Sequence, residues 1–306
     1  MIRNSLKYYY NQFYQKFHSD TFKSNMLKGK QLAETNKLKK NIAGLDEVAF
    51  QVFSQYGEDG IIQYIISQIE IPNRIFIEFG VEYYTESNTR FLLLNNNWRG
   101  LVIDGSSQNI RFIKNDGISW KYDISAYHSF ITKDNINELI SKFTNCSDIG
   151  LLSIDIDGND YWVWEAIEVI SPRIVICEYN STLGPVHKVS IPYVADFEQT
   201  KAHFSNLYYG ASLAALCHLA EKKGYDFIGT ATAGVNAFFV RKDLSAPFIK
   251  YTAAGGFHQS ANRSSRDQNG KLNFLLHDER LAVIKDMKVA DVVSGSLHTI
   301  KELYQL

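Results

Sequence analysis

Between Ser54 and Arg241, short uninterrupted apolar runs alternate with amphipathic stretches, and the runs stop at an acid or a glycine. Ile75-Phe76-Ile77-Glu78-Phe79-Gly80, Leu101-Val102-Ile103-Asp104-Gly105, Leu151-Leu152-Ser153-Ile154-Asp155 and Ile174-Val175-Ile176-Cys177-Glu178 are the clearest of them. They are too short for helices and lack the alternation of a half-exposed strand, so they read as strands of a parallel sheet covered on both faces. Trp120-Lys121-Tyr122-Asp123 reads as one more short strand. Glu58-Asp59 opens a helix with Ile61, Ile62, Ile65, Ile66 and Ile69 on one face, and the two acids suit its N-terminal dipole. Further helices are expected at about 87–94, 136–143 and 212–223, the last closed by Gly224. Tyr225–Gly229 and Asn236–Arg241, joined by a Gly-containing turn, read as an antiparallel pair. The rhythm predicts an α/β fold: a doubly wound, mostly parallel seven-stranded sheet with a helical N-terminal extension.

The 306 residues allow one large domain with additions. The expected division is a basic helical extension over 1–50, the sheet domain over 51–250 with an insertion at about 181–210, and a partly helical tail over 251–306. Residues 1–45 carry nine Lys/Arg against two acids, leaving the remainder at about −8. Leu6, Tyr10, Phe13, Tyr14 and Phe17 fall at helical spacing there. This basic, aromatic helix can pack on its own domain, meet a second subunit in a homo-oligomer, or lie on an anionic membrane surface. The acidic remainder argues against nucleic acid as a partner. Cys146, Cys177 and Cys217 form no disulfide or metal spacing, which suits a reducing cytoplasm. No run approaches the roughly 18 apolar residues of a membrane span.

Ligands of an open parallel sheet sit beyond the C-terminal strand ends. Here these ends carry Glu78-Phe79-Gly80, Asp104-Gly105-Ser106, Asp123, Asp155-Ile156-Asp157-Gly158 and Glu178-Tyr179-Asn180. Carboxylates gathered on one rim repel one another unless a cationic or hydroxyl-rich guest joins them. A dinucleotide needs Gly-x-Gly-x-x-Gly, but Glu82 stands at the second glycine position, which disfavours nicotinamide dehydrogenases. S-adenosylmethionine has a sulfonium, an ammonium and a ribose diol, and no phosphate. On this reading Glu78 attracts the ammonium and Gly80 permits close approach. Asp104, with Gly105 and Ser106, takes the ribose hydroxyls; Asp123 and Ile124 take the adenine; and Asp155 completes the rim. Each acid can instead cap the following turn or helix.

The run Leu151 to Asp160 followed by Trp164-Glu165-Ala166-Ile167, then Ile176 to Asn180, Lys223-Gly224-Tyr225 and Asn236 to Val240, resembles the FkbM-like methyltransferases. The likeness spans roughly residues 54–242. In that family a "KIDVEG" type run precedes an acid and an apolar helix; here Ser153 replaces the lysine. The resemblance implies a class I, Rossmann-like methyltransferase fold and O-methylation of a sugar or related polar metabolite, such as a surface polysaccharide.

A hydroxyl acceptor needs a base or a metal. Asp157, Glu178 and His187 are the candidate catalytic groups, and Asp157 with Glu178 can alternatively hold Mg²⁺. The connection carrying Gly184-Pro185, His187, Tyr193, His203, Tyr208 and Tyr209 is long enough for a lid or acceptor site. Asn180, Tyr208 and Tyr209 are the expected contacts to a small-molecule or glycan acceptor. Arg263 and Arg266 in the tail are candidates for reading an anion on it, or plain surface charge. The rival reading of Asp155-Ile156-Asp157 is the DxD triplet of a metal-dependent glycosyltransferase, which leaves Glu78, Gly80 and Asp104 without roles.

Overall fold

The computed structural model describes the backbone from Ile2 to Leu306 and the side chains from Asp20 onward. The strands are β1 (Ile75–Phe79), β2 (Arg99–Asp104), β3 (Ile124–His128), β4 (Leu151–Ile154), β5 (Ile174–Glu178), β6 (Val189–Ser190), β7 (Tyr225–Thr230), β8 (Asn236–Arg241), β9 (Lys288–Asp291) and β10 (Leu297–Thr299). The helices are α1 (Ile2–Lys37), α2 (Glu58–Gln68), α3 (Arg90–Asn96), α4 (Ser107–Asn115), α5 (Ile118–Lys121), α6 (Ile136–Phe143), α7 (Asp160–Ala166), α8 (Gln199–Ala202), α9 (Leu213–Lys222), α10 (His277–Val283) and α11 (Ile300–Tyr304). The main sheet runs β3-β2-β1-β4-β5-β8-β7, parallel as far as β5, with β8 antiparallel to both of its neighbours. This is the expected doubly wound seven-stranded sheet.

Alternate residues of each central strand enter two separate cores, which is why the runs are apolar throughout. Ile77, Phe79, Leu101, Ile103, Leu152, Ile154 and Val175 pack with Ile136, Ile140, Trp164, Leu216 and Leu219 from α6, α7 and α9. Phe76, Val102, Leu151, Ile174 and Ile176 pack with Ile61, Ile62, Ile65, Leu92, Ile110 and Ile113 from α2, α3 and α4. The aromatic stripe expected at Leu6 to Phe17 lies outside the described side chains. The later part of α1 packs on its own domain: Ala33 and Asn36 are buried, and Asn36 Nδ2 donates to the Val48 carbonyl at 2.7 Å.

Two local expectations fail. Residues 118–121 form the helical turn α5 with an exposed Trp120, and the edge strand β3 follows at 124–128. Ser125 and His128 interrupt the apolar residues of this edge strand, of which only Ala126 is fully buried, so a search for continuous apolar runs passes over it. Helix α3 begins at Arg90, later than expected, because Asn88 and Thr89 turn their N–H groups onto Glu78. Beyond β8, the chain does more than form a partly helical tail. Strands β9 and β10 join β6 in a second, three-stranded sheet. Ile284, Val289 and Ile300 pack there with Leu183, Ile191, Leu207 and Tyr208.

Asp59 fixes the segment leading into α2. Its Oδ2 accepts from the backbone N–H of Val52, Phe53 and Ser54 at 2.7 to 2.9 Å, and it is buried. Asp59→Ala leaves these donors unmatched, so a stability loss of about 3 kcal/mol and a fall in Tm of roughly 6 °C are expected in thermal denaturation. An unchanged Tm would show that the 52–54 turn does not depend on this carboxylate.

Candidate functional site

Strands β2, β1, β4 and β5 lie side by side, so their C-terminal ends place Asp104, Glu78, Asp155 and Glu178 along one edge. Two cavities open there. One, of about 300 Å³, lies over β1, β4 and β5 and includes Glu78, Ser87, Asn88, Glu178, Tyr209 and Asn236 in its wall. The other, of about 160 Å³, lies over β2 and β3 and includes Asp104, Gly105, Ser129, Phe130 and Ile131. Gly80, Glu82, Asp155 and Asp157 line both, so the two cavities meet at the loops after β1 and β4. At this meeting point the backbones nearly touch. A Cβ on Gly80 would sit 1.6 Å from the Asp155 carbonyl oxygen, and Gly80 has a φ of +70°. Glycine is required there on both counts.

The acids differ in what remains free. Glu78 Oε1 accepts from Asn88 N–H (2.8 Å), while Oε2 accepts from Thr89 N–H (3.1 Å) and the Thr89 hydroxyl. Burial nevertheless lifts its pKa to about 7. Asp104 Oδ2 accepts from Glu82 N–H, and Oδ1 from Ser106 N–H and Asn109 Nδ2. Of a carboxylate's roughly four acceptor positions, Asp104 and Glu78 each retain about one. Asp104 therefore has an acceptor position free for one hydroxyl, where the sequence suggested two. Ser106 caps α4 through its side chain, and Gly105 faces open space beside Phe130.

Asp155, Asp157 and Glu178 can each present an oxygen within 4.8 Å of the others'. Burial, then repulsion within the group, raises Asp155 and Glu178 well above the ordinary carboxyl range. Asp157 is raised by burial and then by Glu82. Glu178 Oε2 is buried without a partner. Asp157 holds a left-handed φ of +54°, uncommon for a non-glycine residue. Asp160 closes this turn by accepting from Ile156 and Gly158 N–H at 2.8 and 2.9 Å. It thus serves the loop.

Several expected contacts lie elsewhere. Asp123 precedes β3 at the opposite edge of the sheet, where its carboxylate is 3.7 Å from Arg99 and its carbonyl accepts from Gly100 N–H. Ile124 begins that strand. Neither can meet an adenine at the C-terminal edge; Ser129, Phe130 and Ile131 occupy that position. His187 lines neither cavity and packs edge-on against Tyr304 with ring centroids 4.6 Å apart. Asn180 is spent on the carbonyls of Leu207 and Tyr209 and on Thr182 N–H. The Tyr208 hydroxyl donates to the Lys288 carbonyl, pointing into the second sheet. Tyr209 does line the larger cavity, together with Glu178 and Arg280. Arg263 and Arg266 bond the carbonyls of Phe274 and Gly270 outside the cavities.

Residues beyond the expected set complete the larger cavity. Asn236, the first residue of β8, pairs with Glu178 across the strands and donates through Nδ2 to Glu58 Oε1 at 3.0 Å. Its Oδ1 is buried without a partner. Gln55 enters from the segment before α2, and Ser260, Asn262, Ser264 and Arg280 enter from the C-terminal region.

These groups set a pH dependence. Glu78 (about 7), Asp59 and Asp160 (both about 6) titrate above their unfolded values, burial being the largest cause in each. Asp155, Asp157 and Glu178 are raised in the same direction, whereas burial lowers His203 and His218, which act in the opposite sense. The six carboxyls outnumber the two imidazoles, so on balance the folded chain holds more protons than the unfolded one across that interval, and stability is present at low pH and is lost as pH rises. Asp148, Asp226 and Asp243, whose pKa values are lowered, act below about 4 and leave this interval alone. The ligand-free Tm is expected to fall between about pH 4.5 and 7.5, and a bound cation should flatten the slope. A Tm that rises over this interval contradicts the assignment.

The sequence matches no protein-family model and no curated protein. Among solved structures it is similar to PKMT2 from Rickettsia typhi in complex with AdoHcy (9% identity, 66% of this chain and 56% of that chain, TM-score 0.42). It is also similar to the N-terminal domain of EvdMO1 with SAH bound (11% identity, 54% and 72%, TM-score 0.36). A third is an S-adenosylmethionine-dependent methyltransferase from Clostridium acetobutylicum ATCC 824 (10% identity, 60% and 90%, TM-score 0.37).

Proposed function

We propose that the protein is an S-adenosylmethionine-dependent methyltransferase, of the FkbM-like type, acting on a hydroxyl of a sugar or related polar metabolite. The observation that carries this reading is the pair of acid-rimmed cavities joined at Gly80. The smaller cavity, with Phe130 and Ile131 for a base and one free acceptor position on Asp104 for a ribose hydroxyl, suits the nucleoside. The larger cavity, with Glu78 at its base, suits the amino-acid end and leaves room for the acceptor. A diphosphate is a poor guest beside Glu78, Glu82, Glu86, Asp155 and Asp157, which speaks against the glycosyltransferase alternative.

S-adenosylmethionine bound there supplies a methyl group on a sulfonium, and attack by oxygen forms the C–O bond as the C–S bond breaks. The chain's part is to position the hydroxyl and take its proton. Three crowded carboxylates cannot all be ionised near neutrality, so they titrate as a unit and share a proton. The member left ionised has a pKa moved toward the working pH, which makes it a competent base. Asp157, the most open of the three, and Glu178, with its unpartnered oxygen, are the groups placed to receive the proton. Tyr209 forms an adjacent wall.

The same triad favours a second reading of proton removal. Asp155, Asp157 and Glu178 are hard oxygen groups that would suit Mg²⁺, which would lower the pKa of a bound hydroxyl. Calorimetry with Mg²⁺ decides: binding abolished by Asp157→Asn supports the metal, whereas full turnover in EDTA excludes it.

Titration with S-adenosylmethionine and with UDP-sugars tests the function. Micromolar binding of the first alone is expected; heat from a UDP-sugar alone would favour the glycosyltransferase. The setting we propose is cytoplasmic, in keeping with three free cysteines; among the described residues no helix is long and apolar enough to cross a membrane.

A further inference from the structure

The larger cavity is bipolar. Its floor is acidic, but the wall furnished by the C-terminal region carries a guanidinium. Arg280 on α10 is only 6% exposed and lines the cavity. Its Nη1 donates to the Asn262 carbonyl at 3.0 Å, while Nε is buried without any partner. Among the described residues no carboxylate lies within 4.0 Å of it. Arginine stays charged in proteins, and a buried cation without a counter-ion is costly unless something supplies one. Arg173 and Arg241, by contrast, are both paired with Asp148. Apart from its acids, the wall of the same cavity carries Tyr209, Asn262, Ser260, Ser264 and Asn206: hydroxyls and amides, which bind polar, hydroxylated molecules.

We propose that the acceptor is an anionic polyhydroxyl compound, a sugar bearing a carboxylate or phosphate group, whose anion pairs with Arg280 while its reacting hydroxyl lies at Asp157 and Glu178. The planar fork of a guanidinium suits either oxyanion. The amide and hydroxyl wall then meets the ring hydroxyls. This rests on the methyltransferase reading for the identity of the reaction, but the anion preference stands on Arg280 and its surroundings alone. The feature was not legible in the sequence, where Arg263 and Arg266 were the arginines singled out for an anion. Both are held on backbone carbonyls away from the cavity.

The test is calorimetry and thermal shift on the full chain saturated with S-adenosylhomocysteine. Glucuronate, glucose 6-phosphate and inorganic phosphate are compared with glucose. At least one anionic probe is expected to bind tenfold or more tightly than glucose, the two sugar arms separating carboxylate from phosphate. Arg280→Gln should remove that preference, and Arg280→Lys should keep part of it, with S-adenosylhomocysteine affinity little changed in both. No preference for any anion, or a preference that survives Arg280→Gln, overturns the proposal. So does a tenfold loss of S-adenosylhomocysteine affinity in Arg280→Gln, which would assign the guanidinium to the carboxylate of the amino-acid end. Failure of S-adenosylhomocysteine to bind the wild-type chain would sink the methyltransferase reading instead, and the probes would then be compared without it.

Discussion

Glu178→Gln and Asp157→Asn are each expected to lower kcat by about 10²- to 10⁴-fold, the range typical of a lost general base. Both substitutions keep size and hydrogen-bonding shape while removing the charge that accepts the proton. Glu178 is the more informative, because it lies in the buried end of the triad and its Oε2 has no partner to lose. Removing one charge also relieves the repulsion on Asp155, so the folded variant should be at least as stable as the parent. Stability retained with turnover lost distinguishes a chemical role from a structural one. The double variant should be little worse than either single one, since groups acting as a unit are not additive. The measurement is S-adenosylhomocysteine formed from S-adenosylmethionine, with a deproteinised small-molecule extract as acceptor source. Turnover within threefold of wild type in both variants would remove the triad from the mechanism.

Gly80→Ala is expected to weaken S-adenosylhomocysteine binding by more than 100-fold, equivalent to about 2.8 kcal/mol. The added Cβ meets the Asp155 carbonyl at a distance no two such atoms tolerate, so the loops after β1 and β4 must separate where both cavities have their common wall. The left-handed φ adds about 1 kcal/mol or more of backbone strain for any L side chain. Gly184 provides the control. It too has positive φ, +67°, but nothing lies within 4 Å of a Cβ there. With ψ at −170° its backbone is in a region that is essentially restricted to glycine, so Gly184→Ala carries at least as much strain without the collision and should leave binding within a few-fold of wild type. Equal losses in the two variants would mean that backbone strain, and not the contact between the loops, accounts for the effect.

The layout of the sheet could be read from the sequence because burial on both faces leaves a continuous apolar run, and β1, β2, β4 and β5 all carry one. The acids at their ends followed, since strand ends in such a sheet fall on one edge. The edge strand escaped because partial exposure lets Ser125 and His128 break its apolar run, and with it went the position of Phe130 and the misplacing of Asp123 and Ile124. Side-chain commitment was also invisible. Whether Glu78 or Asp104 faces a ligand depends on how many backbone N–H groups a following loop turns toward it. Asn180 and Tyr208 were drawn into backbone bonds for the same reason. Arg280 and Asn236 reach the cavity through contacts between chain segments remote from one another, such as Asn236 with Glu58 across 178 residues. No local pattern encodes that.

A crystal structure of the protein with S-adenosylhomocysteine bears most directly on the central claim, that acid-bearing strand ends hold a cationic, phosphate-free nucleoside. The adenine is expected beside Phe130, a ribose hydroxyl on Asp104, the sulfur over Gly80, and the departing methyl's path aimed at Asp157 and Glu178. Density for the ligand away from Gly80, or a nucleoside diphosphate seated against Asp155 and Asp157 in its place, would contradict it.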